Sequence, residues 1–234
     1  MFNGKMKAVT FSFDDGVTQD IRLIEMFNKY GLKCTFNINS ELLGLEGRLG
    51  ITDYKGDSIS HNKVQPEELK TIYAGHEIAV HTLTHPFLPN LDDAEVVRQV
   101  EQDRLNLSKL AGYEVIGMAY PCGGENNNDH VAELIKNNTG VKYSRTITSV
   151  GSFDLQDNMY RFNPTIHSGS TESRESFAKK FLEAKTDKPM LFYIWGHSYE
   201  FDVDDSWDSF EEFCKMISGH DDVFYGTNRE VFGL

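Results

Sequence analysis

Residues 7–16 read KAVTFSFDDG, a run rich in β-branched and aromatic residues that stops abruptly at Asp14, Asp15 and Gly16. Such a run predicts a strand over Lys7–Phe13. A helical pattern follows from about Gln19 to Tyr30, with Ile21, Ile24 and Phe27 along its length. Thr18 is the expected N-cap, Asp20 sits in the first turn where the helix dipole favours a negative charge, and Gly31 is the stop. Strand, acidic turn and helix form the unit of an α/β fold, and the unit recurs outward along the chain.

Further strands are predicted at 33–38, 77–80, 115–119, 141–147, 190–195 and 223–225, with an extended piece at 160–166. Helices are predicted at 66–73 (opening at Pro66), 92–110, 129–137, 173–184 and 207–217. About seven or eight strands, most followed by a helix, predict a (β/α) barrel or a doubly wound sheet. One stretch, Glu41–Gln65 with Gly44, Gly47, Gly50 and Gly56, reads as irregular. It follows the second strand, so it is expected on the carboxyl face of the sheet, where α/β proteins place their sites.

The 234 residues, 39% hydrophobic and 25% charged, fit a single domain over 1–234. The net charge of −13 disfavours nucleic acid as a partner. No apolar run approaches the roughly 20 residues of a membrane span. The first residues, MFNGKMKAVTFSFDDG, hold no apolar signal-peptide core, so a cytoplasmic location is expected. Cys34, Cys122 and Cys214 are odd in number and widely spaced, which indicates no disulfide framework.

The chemistry-bearing residues sit at predicted strand ends. Asp14 and Asp15 are adjacent carboxylates that repel one another without a cation or a shared proton. His81 and His85, in HTLTH, have a metal-ligand spacing, and Pro86 forbids a long helix through them. His197, in WGHSYE, follows the strand at 190–195. Each feature alone has a bland reading as turn, chance spacing or structural histidine. Three of them at the ends of three strands are hard to assign to chance.

In this order, FSFDDG at 11–16, HTLTH at 81–85, YPCG at 120–123 and WGH at 195–197 resemble the motifs of the polysaccharide deacetylases, carbohydrate esterase family 4, which carry the NodB homology domain. The resemblance spans nearly the whole chain. It implies a distorted, NodB-like (β/α) barrel of about seven strands. It also implies one divalent metal ion, zinc foremost and cobalt, nickel or manganese otherwise, held by Asp15, His81 and His85, with Asp14 as general base. Two imidazoles and a carboxylate leave a position open for water and a substrate carbonyl. Asp14 can take the water's proton, and His197 is the acid expected to protonate the leaving group. An N–H of the Tyr120–Pro121–Cys122–Gly123 turn, that of Cys122, is expected to meet the oxyanion. Tyr120, Pro121, Cys122 and Trp195 are the expected substrate-binding residues. The implied activity is hydrolysis of acetyl groups from a carbohydrate, an N-acetyl amide first. The alternatives are another linear or cyclic amide, as in allantoinases, or carbohydrate binding without catalysis.

One departure stands out. The family's third motif carries an arginine that orients the base, and Ala119 occupies that place here. A guanidinium suits the task because it stays charged and its planar fork matches a carboxylate. Arg145, near the end of the next strand, is expected to contact Asp14 instead, with Arg161 as runner-up. Trp195 and Tyr199 flank His197 and either stack on a sugar or pack the barrel mouth; Glu200 either orients His197 or stays on the surface. His61, His76, His130, His167 and His220 lack sequence companions and read as structural or surface residues.

Overall fold

A computed structural model describes residues 2–169 and 171–234. Its strands are β1 (Lys7–Asp14), β2 (Cys34–Ile38), β3 (Arg48–Thr52), β4 (Ser58–Ser60), β5 (Glu77–Val80), β6 (Gly117–Ala119), β7 (Tyr143–Arg145), β8 (Ile166–His167), β9 (Met190–Gly196) and β10 (Val223–Tyr225). Its α-helices are α1 (Asp20–Tyr30), α2 (Leu69–Ile72), α3 (Asp93–Ala111), α4 (Asp129–Asn138), α5 (Thr171–Glu183), α6 (Glu200–Val203), α7 (Trp207–Ile217) and α8 (Asn228–Phe232). The main sheet runs β7-β6-β5-β2-β1-β9-β8, with β10 also paired to β1, and its pairs are all parallel.

The sheet curls until its two ends are joined by one stretch of chain. Phe162 exchanges backbone hydrogen bonds with the β7 segment, its N–H to Ser144 O and Thr146 N–H to its own carbonyl, both 2.9 Å. Three residues later Thr165 N–H donates to Tyr193 O of β9 at 2.8 Å. The result is the expected distorted (β/α) barrel. Because its strands are parallel, their carboxyl ends gather at one rim.

β1 is buried along its whole length, which is why its sequence runs apolar instead of alternating. Phe11 and Phe13 meet Phe27 of α1 and Phe210 of α7, with ring centroids 4.7–6.4 Å apart. α1 presents Leu23, Ile24, Met26 and Phe27 to this core, whereas Ile21 is 43% exposed and lies outside the expected apolar face. Gly31 ends α1 in the left-handed conformation as expected, but the N-cap is Gln19, not Thr18, whose N–H instead donates to Asn62 O. α3 and α4 begin at Asp92 and Asn128, whose carbonyl or carboxylate oxygens accept the N–H of Glu95 and Val131.

Other expectations need correction. The 41–65 stretch is not irregular throughout: β3 and β4 form an antiparallel hairpin whose turn is built on Asp53, with Oδ1 accepting Lys55 and Asp57 N–H. The helix expected over 66–73 is a single helical turn, Leu69–Ile72, preceded by turns at 66–68. The extended piece at 160–166 opens as a 3₁₀ turn, Met159–Arg161. α6 and α8 are too short to carry a legible period. Among the described residues no helix is long and apolar enough to cross a membrane.

Gly117 in β6 has no room for a side chain. A Cβ there would lie 2.1 Å from the hydroxyl of buried Tyr143, which is itself held by Glu77 Oε1 at 2.9 Å. Gly117→Ala is expected to cost about 1–3 kcal/mol through overpacking. Urea unfolding followed by circular dichroism checks it; an unchanged midpoint refutes the close approach.

Candidate active site

The carboxyl end of β1 delivers Asp14 into the interior of the rim. Arg145 Nη2 lies 2.5 Å from both Oδ1 and Oδ2 of Asp14, and Asn37 Nδ2 donates to Oδ1 at 2.8 Å. The Arg145 side chain has no solvent exposure and that of Asp14 only 2%. Arg145 is fixed in turn: Nε donates to Ser12 Oγ at 3.1 Å, Nη1 donates to Thr146 O at 3.1 Å, and the guanidinium lies 4.7 Å from the Trp195 ring centroid. In the pairing of β6 with β7, Arg145 is the direct partner of Ala119. The guanidinium therefore arises one strand over, at the same level, from the place where the family pattern has its arginine. The contact with Asp14 matches the expectation, but its form does not: one nitrogen straddles both oxygens, and the fork points elsewhere. Burial alone would raise the Asp14 pKa, yet the charges of Arg145 and His197 pull it below the usual carboxylate value. Arg161, the runner-up, instead pairs with Asp129 at 2.5 Å.

Asp15 turns the other way. Its φ of 85° is left-handed, an unfavourable conformation for a residue with a Cβ, and His85, Thr82 and Cys122 are left-handed as well. Strain of this kind persists only where the surroundings dictate it. Here Asp15 N–H donates to Asn37 O at 2.9 Å and Lys63 Nζ donates to Asp15 O at 2.8 Å. The carboxylate Oδ1 then lies 3.8 Å from His81 Nε2 and 3.7 Å from His85 Nε2. The HTLTH segment is a tight loop, not a helical turn, and its two rings have centroids 4.9 Å apart.

The donor chemistry of this cluster suits a metal. His81 Nδ1–H donates to Ala119 O at 2.9 Å, which leaves the Nε2 lone pair facing Asp15. Burial depresses the His81 pKa to about 4 and lowers that of His85, so both imidazoles are neutral. Despite burial, the hydrogen bond from His61 and the charges of Lys63 and His197 keep Asp15 ionised. Three ligand atoms, two neutral nitrogens and an anionic oxygen, lie within 4.8 Å of one another. Behind them, Asp103 holds the loop by accepting Ser40 and His81 N–H, and Asn39 Nδ2 donates to His81 and Thr82 carbonyls.

His197, just past β9, faces the same space. Its Nδ1 meets Glu200 Oε1 at 3.0 Å, and Glu200 Oε2 meets His167 Nε2 at 3.2 Å. Enclosure alone would lower the His197 pKa; the Glu200 hydrogen bond and charge, with Asp14 and Asp15, raise it to about 9. Asp14, Asp15, His81, His85 and His197 line one cavity of about 270 Å³ together with Tyr120, Cys122, Trp195 and Tyr199. Pro121 does not line it; it is buried, with its carbonyl tied to Asn126 Nδ2 at 2.9 Å. The Tyr120 hydroxyl is engaged as well, donating to Tyr160 O at 2.8 Å. Cys122 N–H points at His85 Nε2, 3.4 Å away, at the edge of the ligand cluster. Its thiol donates to His85 O, and burial raises its pKa, which argues against a thiolate nucleophile.

Reading the sequence alone misses four contributors. His61 Nε2 lies 3.2 Å from Asp15 Oδ2 and Lys63 Nζ 3.8 Å from Oδ1; both come from the 41–65 stretch, which does reach the rim. His61 and His167 therefore have companions in space. Asn37 is the fourth, and a polar residue in the middle of an apolar strand was its only signal.

Residues 3–143 match the family model described as polysaccharide deacetylase. Solved structures resemble the fold. The carbohydrate-esterase domain of a xylanase from the hindgut metagenome of Trinervitermes trinervoides aligns at TM-score 0.58 and 17% identity, over 97% of this chain and 90% of that one. A family 4 carbohydrate esterase from Streptomyces lividans, solved with acetate, aligns at 0.57 and 12%, over 95% and 93%. The peptidoglycan deacetylase PdaC from Bacillus subtilis aligns at 0.54 and 15%, over 97% and 91%. No curated protein matches by sequence.

Removing one partner of a buried ion pair leaves the other charge uncompensated. Arg145→Ala is expected to destabilise the protein by about 3–5 kcal/mol. Arg145→Lys should recover part of this, because an ammonium can meet Asp14 but not Ser12 and Thr146 as well. Urea unfolding of the three proteins decides it, and equal stability of wild type and Arg145→Ala refutes the coupling.

Proposed function

Because the chain belongs to the polysaccharide deacetylase family, we propose that it hydrolyses an acetyl group from a carbohydrate, an N-acetyl amide first, with residues 1–234 working as one catalytic domain. The observation that carries this reading is the meeting, in one cavity, of a two-histidine, one-carboxylate cluster with a carboxylate restrained by Arg145 and a histidine backed by Glu200. The motifs that converge there run from Asp14 to His197, which supports a single working unit. The solved relative that holds acetate, the product of such a reaction, is consistent with it.

Asp15, His81 and His85 are the residues that would hold a divalent ion, and neutral imidazoles with one carboxylate favour zinc, or cobalt, nickel or manganese, over the hard cations that prefer oxygen alone. Such an ion, when bound, lowers the pKa of water and polarises an acyl oxygen. The chain's own groups do the rest. Asp14, ionised and held by Arg145 and Asn37, accepts the proton of the attacking water. Cys122 N–H, at the edge of the cluster, is placed to donate to the developing oxyanion. His197, with Nδ1 committed to Glu200, keeps Nε2–H to protonate the leaving amine. Trp195 and Tyr199, which line the cavity, supply aromatic surface for the sugar. Carbohydrate binding without catalysis loses its main support, since that alternative followed from a missing arginine and Arg145 stands against Asp14.

Acetate release from acetylated sugars, set against small linear and cyclic amides, tests the reading; release from none of the sugars overturns it. Elemental analysis is expected to find close to one divalent ion per chain, lost in His81→Ala. Asp14→Asn is expected to keep the ion and lose at least about 10²-fold in kcat. Loss of the ion in Asp14→Asn would mean that the roles of Asp14 and Asp15 are reversed.

The pH profile is a separate check. A general acid works while protonated, so activity falls as pH rises through its pKa. Glu200 holds that pKa up, so Glu200→Gln is expected to move the alkaline limb of kcat/KM to lower pH, with the acid limb unmoved. An unshifted alkaline limb removes His197 from the role.

A further inference from the structure

Behind His197 stand Glu200 and His167. The three offer ligand atoms within 4.8 Å of one another, with the same donor types as Asp15, His81 and His85. Their hydrogen bonds set the two clusters apart. At His81 the Nδ1–H is spent on Ala119 O, so the Nε2 lone pair faces the carboxylate. At His167 the order is reversed. Gly169 N–H donates to Nδ1 at 3.0 Å, which puts the ring proton on Nε2, 3.2 Å from Glu200 Oε2. His197 likewise turns a proton to the carboxylate, with Nδ1–H 3.0 Å from Oε1. Two N–H donors on one carboxylate offer a cation no nitrogen lone pair.

What this trio does is hold a side chain in place. Glu200 opens α6, a helix of one turn, and its side chain is 25% exposed, so water competes for its carboxylate. His167 has a firmer base. It ends β8 as the direct partner of Trp195 in β9, and Ser168 N–H donates to Trp195 O at 2.7 Å. The His167 and Trp195 rings meet edge-on, with centroids 4.6 Å apart. Nε2–H of His167 therefore fixes Oε2 from the sheet side, while His197 N–H reaches the same oxygen at 3.2 Å. Oε1 is left to His197 Nδ1, which leaves Nε2–H for the cavity that His197 lines. Burial alone would raise the Glu200 pKa; the hydrogen bonds of His167 and His197 lower it to about 2, so the acceptor stays ionised.

We propose that His167 is a positioning residue: by donating to Glu200 Oε2 it keeps Glu200 turned toward His197, so that His197 is held with Nε2–H toward the leaving group. The proposal rests on the deacetylase reading and adds to it a residue that acts through Glu200. Such an anchor matters only where the leaving group needs a proton. An amine or an alkoxide does; para-nitrophenolate, a stable anion at neutral pH, departs without one. Asp14 and Asp15 of β1 and His85 of the 81–85 loop also bear on His197, and they stay the same in the variants that test the anchor.

The test compares the metal-loaded wild type with His167→Phe, which keeps a ring against Trp195 without a donor, and His167→Gln, whose amide keeps one. On N-acetylglucosamine oligomers His167→Phe is expected to lose about tenfold in kcat with KM unmoved. The alkaline limb of its kcat/KM should move to lower pH, because an acid no longer held beside Glu200 gives up its proton sooner. On para-nitrophenyl acetate no loss is expected, and His167→Gln should recover most of the oligomer rate. NMR of nitrogen-labelled histidine reads the anchor without turnover. The His197 Nδ1–H signal should exchange faster with water in His167→Phe and return in His167→Gln, and the His197 titration midpoint should fall in the first and recover in the second. An equal loss on both substrates, without rescue by glutamine, assigns His167 to structure and overturns the proposal. Unchanged rates with an unchanged His197 signal overturn it as well. A second divalent ion per chain that His167→Phe removes makes the trio a metal site and also overturns it. The expected change in the His197 signal, without acetate release from any sugar, overturns the deacetylase reading and keeps the anchor.

Discussion

Arg145 has no solvent exposure and touches a carboxylate nearly as buried as itself, and the rest of the site is arranged around that contact. Taking two charges out of water costs several kcal/mol per ion, and their attraction repays it only where further hydrogen bonds satisfy both partners. Those bonds are all present: Ser12 and the Thr146 carbonyl for the guanidinium, Asn37 for the carboxylate, and the Trp195 ring against the cation. They come from β1, β2, β9 and the residue just past β7, so the pair also pins neighbouring strands together at their carboxyl ends. A carboxylate held this way stays charged and cannot swing toward an adjacent ligand cluster.

That restraint lets two neighbouring carboxylates in one sequence differ in chemistry. In an ordinary strand, successive side chains already point to opposite faces. The left-handed turn at Asp15 re-aims its carboxylate toward the two imidazoles while Asp14 stays on the strand's inward face. The neighbouring left-handed residues Thr82, His85 and Cys122 belong to the two loops that face it. Strain of order 1–3 kcal/mol per residue accompanies such backbone, and the buried clamps that resist its relaxation, Lys63 on Asp15 O and Asn39 on His81 and Thr82, lie directly beneath.

Where the chain is locally determined, its sequence is legible. β5, α7 and β10 have the predicted bounds, and β1 differs by one residue, because apolar runs and helical periods reflect local burial. The residues at strand ends were legible for the same reason, and the parallel sheet brings them together. What escaped depends on distance in the chain. His61 and His167 read as solitary because their partners, Asp15 and Glu200, are 46 and 33 residues away. Arg145 is legible only through its place on the strand that neighbours β6, since no spacing rule links it to Asp14, 131 residues earlier. The hairpin at 48–60 was obscured by glycines, and its strands, largely exposed, show no alternation to read.

Electrostatics then explain why the cluster at Asp15 is receptive although two carboxylates line the cavity and a third, Glu200, stands behind His197. Arg145 offsets Asp14, and a protonated His197 offsets Glu200, leaving only Asp15 with charge to share. Lys63 makes its short contact to the Asp15 carbonyl oxygen and stands 3.8 Å from Oδ1, and burial lowers its pKa, so it compensates that charge only in part. The attraction for a cation thus comes less from net negative charge than from two imidazole lone pairs kept neutral by burial and, at His81, aimed by a backbone carbonyl. A hard ion such as magnesium, which relies on charge and oxygen ligands, gains little from that arrangement. An ion that accepts nitrogen ligands gains more from it.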